Sequence, residues 1–206
     1  MIQKSYEGND GILYLIPTPI GNLDDITVRA LKILKQSDFI LCEDTRVTGL
    51  LLKKYEISKK LVRCDEYSQE KVKNVVLNAL ADKKTVGLVS DAGSPIISDP
   101  GYIVSKYVIE NGYKVVALPG ATAFVPALSV SGVSPSPFTF IGFLNAKDGK
   151  RKKELENLKL KSETLIFYES PHRLLNTLQD MLEICLLYNL RAHETRRHLV
   201  CRLLLE

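Results

Sequence analysis

Short apolar runs recur along this chain, and each ends in residues that bend the backbone before a helical pattern begins. The runs "GILYLIP" (11–17), "DFILCE" (38–43), "LVRCD" (61–65), "TVGLVS" (85–90) and "KVVAL" (114–118) are short and mostly Val, Ile or Leu, so they read as strands. Segments with apolar residues at helical spacing lie between them. Ile26, Ala30, Ile33 and Leu34 share one face, with Asp24 or Asp25 as the helix cap. A short helix is expected over 47–55. Val72, Val75, Val76, Ala79 and Leu80 share a face behind a cap at Ser68. "YIVSKYVIENG" (102–112) is a helix stopped by Gly112, and "PGATAFVPAL" opens a short one. This alternation predicts an α/β fold with a mostly parallel sheet, in which ligands gather at the carboxyl ends of the strands.

Those ends are "PTPIGN", "CEDTR", "SDAGSP" and "PGATA". After Val89 the chain runs "SDAGSPIISDPG" (90–101). Gly93 can take a positive φ, Pro95 fixes its own, and the turn exposes backbone groups to a ligand. Asp91 can accept hydrogen bonds, and Ser98 or Asp99 can cap the next helix. A tight strand-to-helix loop holding nothing explains the same spacing equally well. In "CEDTR", Glu43 or Asp44 can act as a base and Arg46 can grip a phosphate; a helix cap by Asp44 or Thr45 with a local ion pair is the simpler reading. No GxGxxG follows the first strand, no GxxxxGK[ST] occurs, and His172, His193 and His198 form no HExxH. Rossmann dinucleotide, P-loop and catalytic-metal chemistry therefore lack support, and no metal is expected.

The composition changes at "SVSGVSPSPFTF" (129–140), which reads as a linker. An amino-terminal α/β domain over 1–130 and a partial carboxyl-terminal one over 138–206 are expected. The second holds a basic stretch (147–159), a strand "TLIFYE" (164–169), and a helix capped by Ser170 with Pro171 at its first position. Five cations within "KDGKRKK" (147–153) read first as a solvated face and second as a phosphate-contacting patch. A net charge of +4 permits an anionic partner without demanding one. The scattered Cys42, Cys64, Cys185 and Cys201 read as free thiols, no apolar run reaches eighteen residues, and the start lacks a signal-peptide h-region. A cytoplasmic protein with no membrane association is expected.

Taken together, "LYLIPTPIGNLDDITVRALKIL", "CEDTR", "LVSDAGSPIISDPG", "LPGATA", "FIGFL" and "YESPHR" resemble the ribosomal-RNA 2′-O-methyltransferases of the tetrapyrrole methylase superfamily, from about Gly11 to Ile184. The resemblance implies two α/β domains with S-adenosylmethionine in the cleft between them. It implies cofactor contacts from Ile20, Asp91, Ser94 and Pro95, backbone contacts from Thr122 and Ala123, and Tyr168 toward the adenosine. The implied substrate is a cytidine ribose in the decoding region of small-subunit (16S) ribosomal RNA, with Glu43 and Asp44 as candidate bases ahead of Asp24 and Asp25. Arg46, Lys150, Arg151, Lys152 and Arg173 would hold RNA phosphates, and a homodimer is typical of the superfamily. A tetrapyrrole acceptor is the alternative within enzymes, and a non-catalytic cofactor- or RNA-binding remnant the alternative outside them. Asn145 in "GFLNAK" stands where the family pattern usually has Pro, which would loosen that turn. The match fades after Ile184, and the tail 186–206 does not resemble the family's continuation. A truncated or frame-shifted product with an incomplete second domain is therefore expected.

Overall fold

Ile12–Leu15 (β1) buries both of its faces, Ile12 and Tyr14 on one and Leu13 on the other, as a central strand must. The computed structural model describes the backbone of residues 10–189 and the side chains of residues 10–184, and the chain divides into two units between Ala123 and Phe124. In the first unit β1 is followed by α1 (Val28–Gln36), β2 (Phe39–Cys42), α2 (Thr45–Lys54), β3 (Lys60–Arg63), α3 (Gln69–Ala81), β4 (Thr85–Leu88), α4 (Tyr102–Glu110) and β5 (Lys114–Ala117). The five strands pair in parallel in the order β3-β2-β4-β1-β5. One face of the sheet (Ile12, Tyr14, Ile40, Cys42) packs on Ala30, Ile33 and Leu34 of α1 and Leu52 of α2. The other (Leu13, Phe39, Leu41, Val86, Leu88) packs on Val72, Val76 and Leu80 of α3 and Val104 and Val108 of α4. The result is a three-layer sandwich whose carboxyl edge carries every loop singled out above.

The helix caps differ from the sequence reading in instructive ways. Asp24 and Asp25 lie in a 3₁₀ turn, Leu23–Asp25, capped by Asn22, and Thr27 caps α1 by accepting the Ala30 N–H at 3.0 Å. Neither Ser98 nor Asp99 caps α4. Buried Gln69 of α3 does so across the sheet's helical layer, its Oε1 accepting the Gly101 and Ile103 N–H groups at 2.9 and 3.2 Å. A long-range cap of this kind leaves no local sequence signal. At the amino edge, Gly112 stops α4 with φ +81, and an added Cβ there would meet nothing within 4 Å.

The second unit holds α5 (Phe124–Val130), β6 (Phe138–Phe143), α6 (Asp148–Leu158), β7 (Thr164–Tyr168) and α7 (Leu174–Asn189). β6 and β7 pair in parallel with a register shift between Phe140 and Gly142. Leu144, Leu155, Met181 and Ile184 form its core, with Ile141 and Phe167 packed against them. Asn145 does not loosen the turn before α6: its Oδ1 accepts the Lys147 N–H at 3.0 Å and its N–H donates to Glu154 at 2.9 Å. The expected helix cap at Ser170 becomes a turn, with the Ser170 carbonyl accepting from Arg173 and Leu174 before α7 begins. Of the tail, 186–189 continue α7, and 190–206 lie outside the described residues.

Candidate functional site

At the carboxyl edge of the first unit's sheet, the loops are tied into one piece. Thr18, after β1, and Gly93, after β4, exchange backbone hydrogen bonds at 2.9 and 3.0 Å. The Thr18 hydroxyl donates to the Ser90 carbonyl at 3.1 Å, and the Ser90 hydroxyl to the Gly93 carbonyl at 3.0 Å. Ser94 reaches the loop after β5, donating to the Ala121 carbonyl at 3.2 Å. Gly120 of that loop lies so near Pro17 that a Cβ would come within 2.5 Å of the ring. Asp91 binds the loop after β2, its Oδ1 accepting the Asp44 N–H at 3.1 Å. The loops after β1, β2, β4 and β5 thus hold one another, and they bring Ile20, Glu43, Asp44, Asp91, Ser94 and Pro95 to one edge, beside Thr122 and Ala123.

The loop from Ser90 to Gly101 is bent beyond what its glycines require. Ile96 and Ser98 take φ of 75° and 68°, as Gly93 takes 85°. A β-branched residue in the left-handed region stores strain, which surrounding contacts must hold.

The carboxylates at this edge differ sharply. Asp44 caps α2, accepting the Arg46 N–H at 2.8 Å, and its side chain meets the Arg46 guanidinium at 2.6 Å. Those hydrogen bonds hold it well below the usual carboxylate range. Glu43 moves the other way, raised by burial and then by the charges of Asp91, Asp65 and Asp44. Asp99, passed over as a mere helix cap by the sequence reading, is half-buried, and burial followed by the Glu43 and Asp91 charges pushes its pKa up to about 6. Its only sequence signal is its place in the loop, because its burial and the charge of Glu43, from the loop after β2, appear only in the fold. Among the described residues, no three His, Cys, Asp or Glu side chains are grouped to hold a metal.

The remaining candidates lie in the second unit. Tyr168 ends β7 and meets Phe140 edge-on at 4.9 Å between ring centroids. Arg151 was expected to meet RNA phosphate, and here the structure corrects the sequence. Its guanidinium is buried, pairing with Asp180 of α7 at 2.5 Å and with Asp148 at 3.1 Å. Lys152 pairs with Glu183 at 3.0 Å, and Arg173 with Glu169 at 2.6 Å. Lys150 is exposed, and Arg46 is exposed despite its clasp on Asp44. A cleft lined by Gly11, Leu80, Lys83 and Tyr113 lies at the amino ends of β1 and β5, away from all of these loops.

Comparison with known proteins agrees with this fold. Residues 12–202 match the model of the tetrapyrrole (corrin/porphyrin) methylases. The chain is 50% identical over 184 residues to "Ribosomal RNA small subunit methyltransferase I" of Bacillus subtilis (strain 168), covering 88% of this chain and 63% of that protein. It is 47% identical over 171 residues to the protein of the same name from Haemophilus influenzae, covering 83% and 60%. The chain therefore spans under two thirds of the length of these curated relatives. The fold is shared with the uroporphyrin III C-methyltransferase of Thermus thermophilus, at a TM-score of 0.59 and 18% identity over 84% of this chain and 77% of that one.

Proposed function

Since this chain belongs to the tetrapyrrole (corrin/porphyrin) methylases, we propose that it methylates small-subunit (16S) ribosomal RNA, at the ribose 2′-hydroxyl of a cytidine in the decoding region. The observation that carries this reading is the mutual stitching of four loops at the carboxyl edge, with Glu43, Asp91 and Asp99 gathered there. S-adenosylmethionine suits that edge: a surplus of carboxylates matches its sulfonium and ammonium charges, and the positive φ at Gly93 allows close approach to the backbone. When bound, it supplies an activated methyl group. Asp91, Ser94, Pro95 and Ile20, with the backbone at Thr122 and Ala123, would hold and orient it, and Tyr168 would meet its adenosine.

The chain's own work is then alignment and proton removal. Fixing two reactants in line supplies at most about 7–11 kcal/mol. A positioned base adds about 10²–10⁴-fold. Asp44 is committed to Arg46 and to the start of α2, so it is a poor proton acceptor. Asp99, pushed up to about 6, suits the task near neutral pH, and burial raises Glu43 in the same direction. RNA rather than a tetrapyrrole as acceptor is favoured by the names of the bacterial relatives and by the exposed lysines of α6. The setting that goes with this reading is cytoplasmic, and the assembly a homodimer.

The test is transfer of labelled methyl from S-adenosylmethionine to small subunits that lack the modification. Label in an alkali-resistant dinucleotide is expected. Label on a base, or none while the cofactor still binds, would overturn the reading.

A further inference from the structure

Phe143 closes β6 on the opposite side of the strand from where simple alternation would put it. Phe140 and Phe143 are an odd number of residues apart, so a regular strand would send them to opposite faces. The bulge between Phe140 and Gly142, with Gly142 at φ 75, turns Phe143 back. Both rings then meet Tyr168, Phe140 at 4.9 Å and Phe143 at 5.7 Å, the latter edge-on at 62°. The face they form lies opposite the one on which Ile141 and Phe167 pack against the core of α6 and α7. Its amino end is covered by Phe124 of α5, stacked on Phe140 at 4.9 Å. Its carboxyl end is open, and Phe143 remains 51% exposed.

The segment that follows Phe143 carries charge. Lys147 precedes α6, and Lys150 and Lys153 follow at helical spacing, all exposed and without an ion pair among the described residues. The neighbouring charges are engaged elsewhere: Arg151 with Asp180, Lys152 with Glu183, and Glu154 with the Asn145 N–H. An exposed ring in contact with Tyr168, at the strand end from which unpaired cations lead into α6, is what single-stranded nucleic acid needs. A base stacks on the ring, while the phosphates on either side meet ammonium groups. A wholly apolar occupant would cover Phe143 yet strand the lysines without counter-charge.

We propose that Phe143, in contact with Tyr168 and at the same carboxyl end of β6 as Lys147 and Lys150, stacks a nucleobase of single-stranded RNA. This rests on the RNA-methylation reading and assigns one of its substrate contacts.

The chain contains no tryptophan, so Phe143→Trp introduces a single indole reporter. The full chain carrying it is titrated with a single-stranded RNA of about ten nucleotides, within the span such grooves hold. The same RNA as a duplex serves as control. Binding of the unsubstituted chain to both is measured separately. Expected are quenching by the single strand only, an affinity loss of about tenfold or more for Phe143→Ala, and a salt-dependence slope shallower by about 0.7 for Lys150→Ala. Quenching by both forms equally, or unchanged affinity for Phe143→Ala, overturns the proposal. So does blue-shifted emission that ignores RNA, which would mean that residues 190–206 or a second copy cover the ring. If the unsubstituted chain binds RNA without any of these signals, only the stacking site falls. If it binds no RNA at all, the methylation reading falls with it.

Discussion

Asp44 and Asp99 are the same chemical group in opposite situations, and their difference can be measured. Asp44 is held ionised by Arg46, whereas Asp99 is pushed up to about 6 by burial beside Glu43 and Asp91. A carboxyl whose folded pKa exceeds its unfolded value of 3.8 is protonated in both states at low pH. It must ionise unfavourably in the folded state as pH rises, so it subtracts stability above about 6 and nothing below about 4. Asp99→Asn should therefore be more stable than the parent at pH 7.5, with the gain vanishing as pH falls through that window; denaturant unfolding at several pH values checks this. If Asp99 is also the base, the same variant loses methyl transfer while still binding the cofactor. Gly120 yields a second prediction. A Cβ placed within 2.5 Å of Pro17 must push the loops after β1 and β5 apart. Since overpacking costs about 1–3 kcal/mol, Gly120→Ala should weaken S-adenosylmethionine binding by about tenfold in calorimetry while the far-UV spectrum is unchanged. Neither residue's situation was legible in sequence: "SDPG" shows a turn, but only burial and the approach of Glu43 from the loop after β2 make Asp99 what it is.

Elements were easier to read than their partners. β1, β2 and β4 fall within the apolar runs because a strand buried on both faces needs little else, and the edge strand β5 falls within one too. The start of α4 at Tyr102 was legible, but its cap was not, because the cap comes from Gln69, 32 residues earlier. α6 shows the limit of reading charge by composition: "KDGKRKK" is basic throughout, yet Arg151 and Leu155, one turn apart, are its buried residues. The spacing was there, but arginine on an apolar stripe reads as solvent-facing until a partner such as Asp180 is known. That partner carries the prediction at this scale. Removing one member of a buried ion pair costs about 3–5 kcal/mol, whereas replacing both with apolar groups is often neutral. Asp180→Ala should lower unfolding free energy by that amount in urea, and Arg151→Met with Asp180→Leu should recover most of it. A double variant as unstable as the single one would count against this account of α6 and α7.

For the molecule as a whole, the two units carry different features. The first carries the stitched loops and the second the open aromatic face with its lysines. Cofactor and RNA binding should accordingly separate under mutation. S-adenosylmethionine at about a hundred times its dissociation constant should add about 2.7 kcal/mol of stability, and Lys150→Ala should leave that gain intact while Gly120→Ala reduces it. Thermal unfolding with and without cofactor makes the comparison. The buried Cys42 and Cys64, whose thiols burial pushes up, the latter to about 12, should stay unalkylated in the folded chain until denaturant is added.

The open turn at Gly112 has a practical side. It sits where α4 hands over to β5, at the far rim from the stitched loops, and nothing crowds it. A peptide tag or dye inserted there could anchor the protein to a sensor surface with its working rim turned toward the solution.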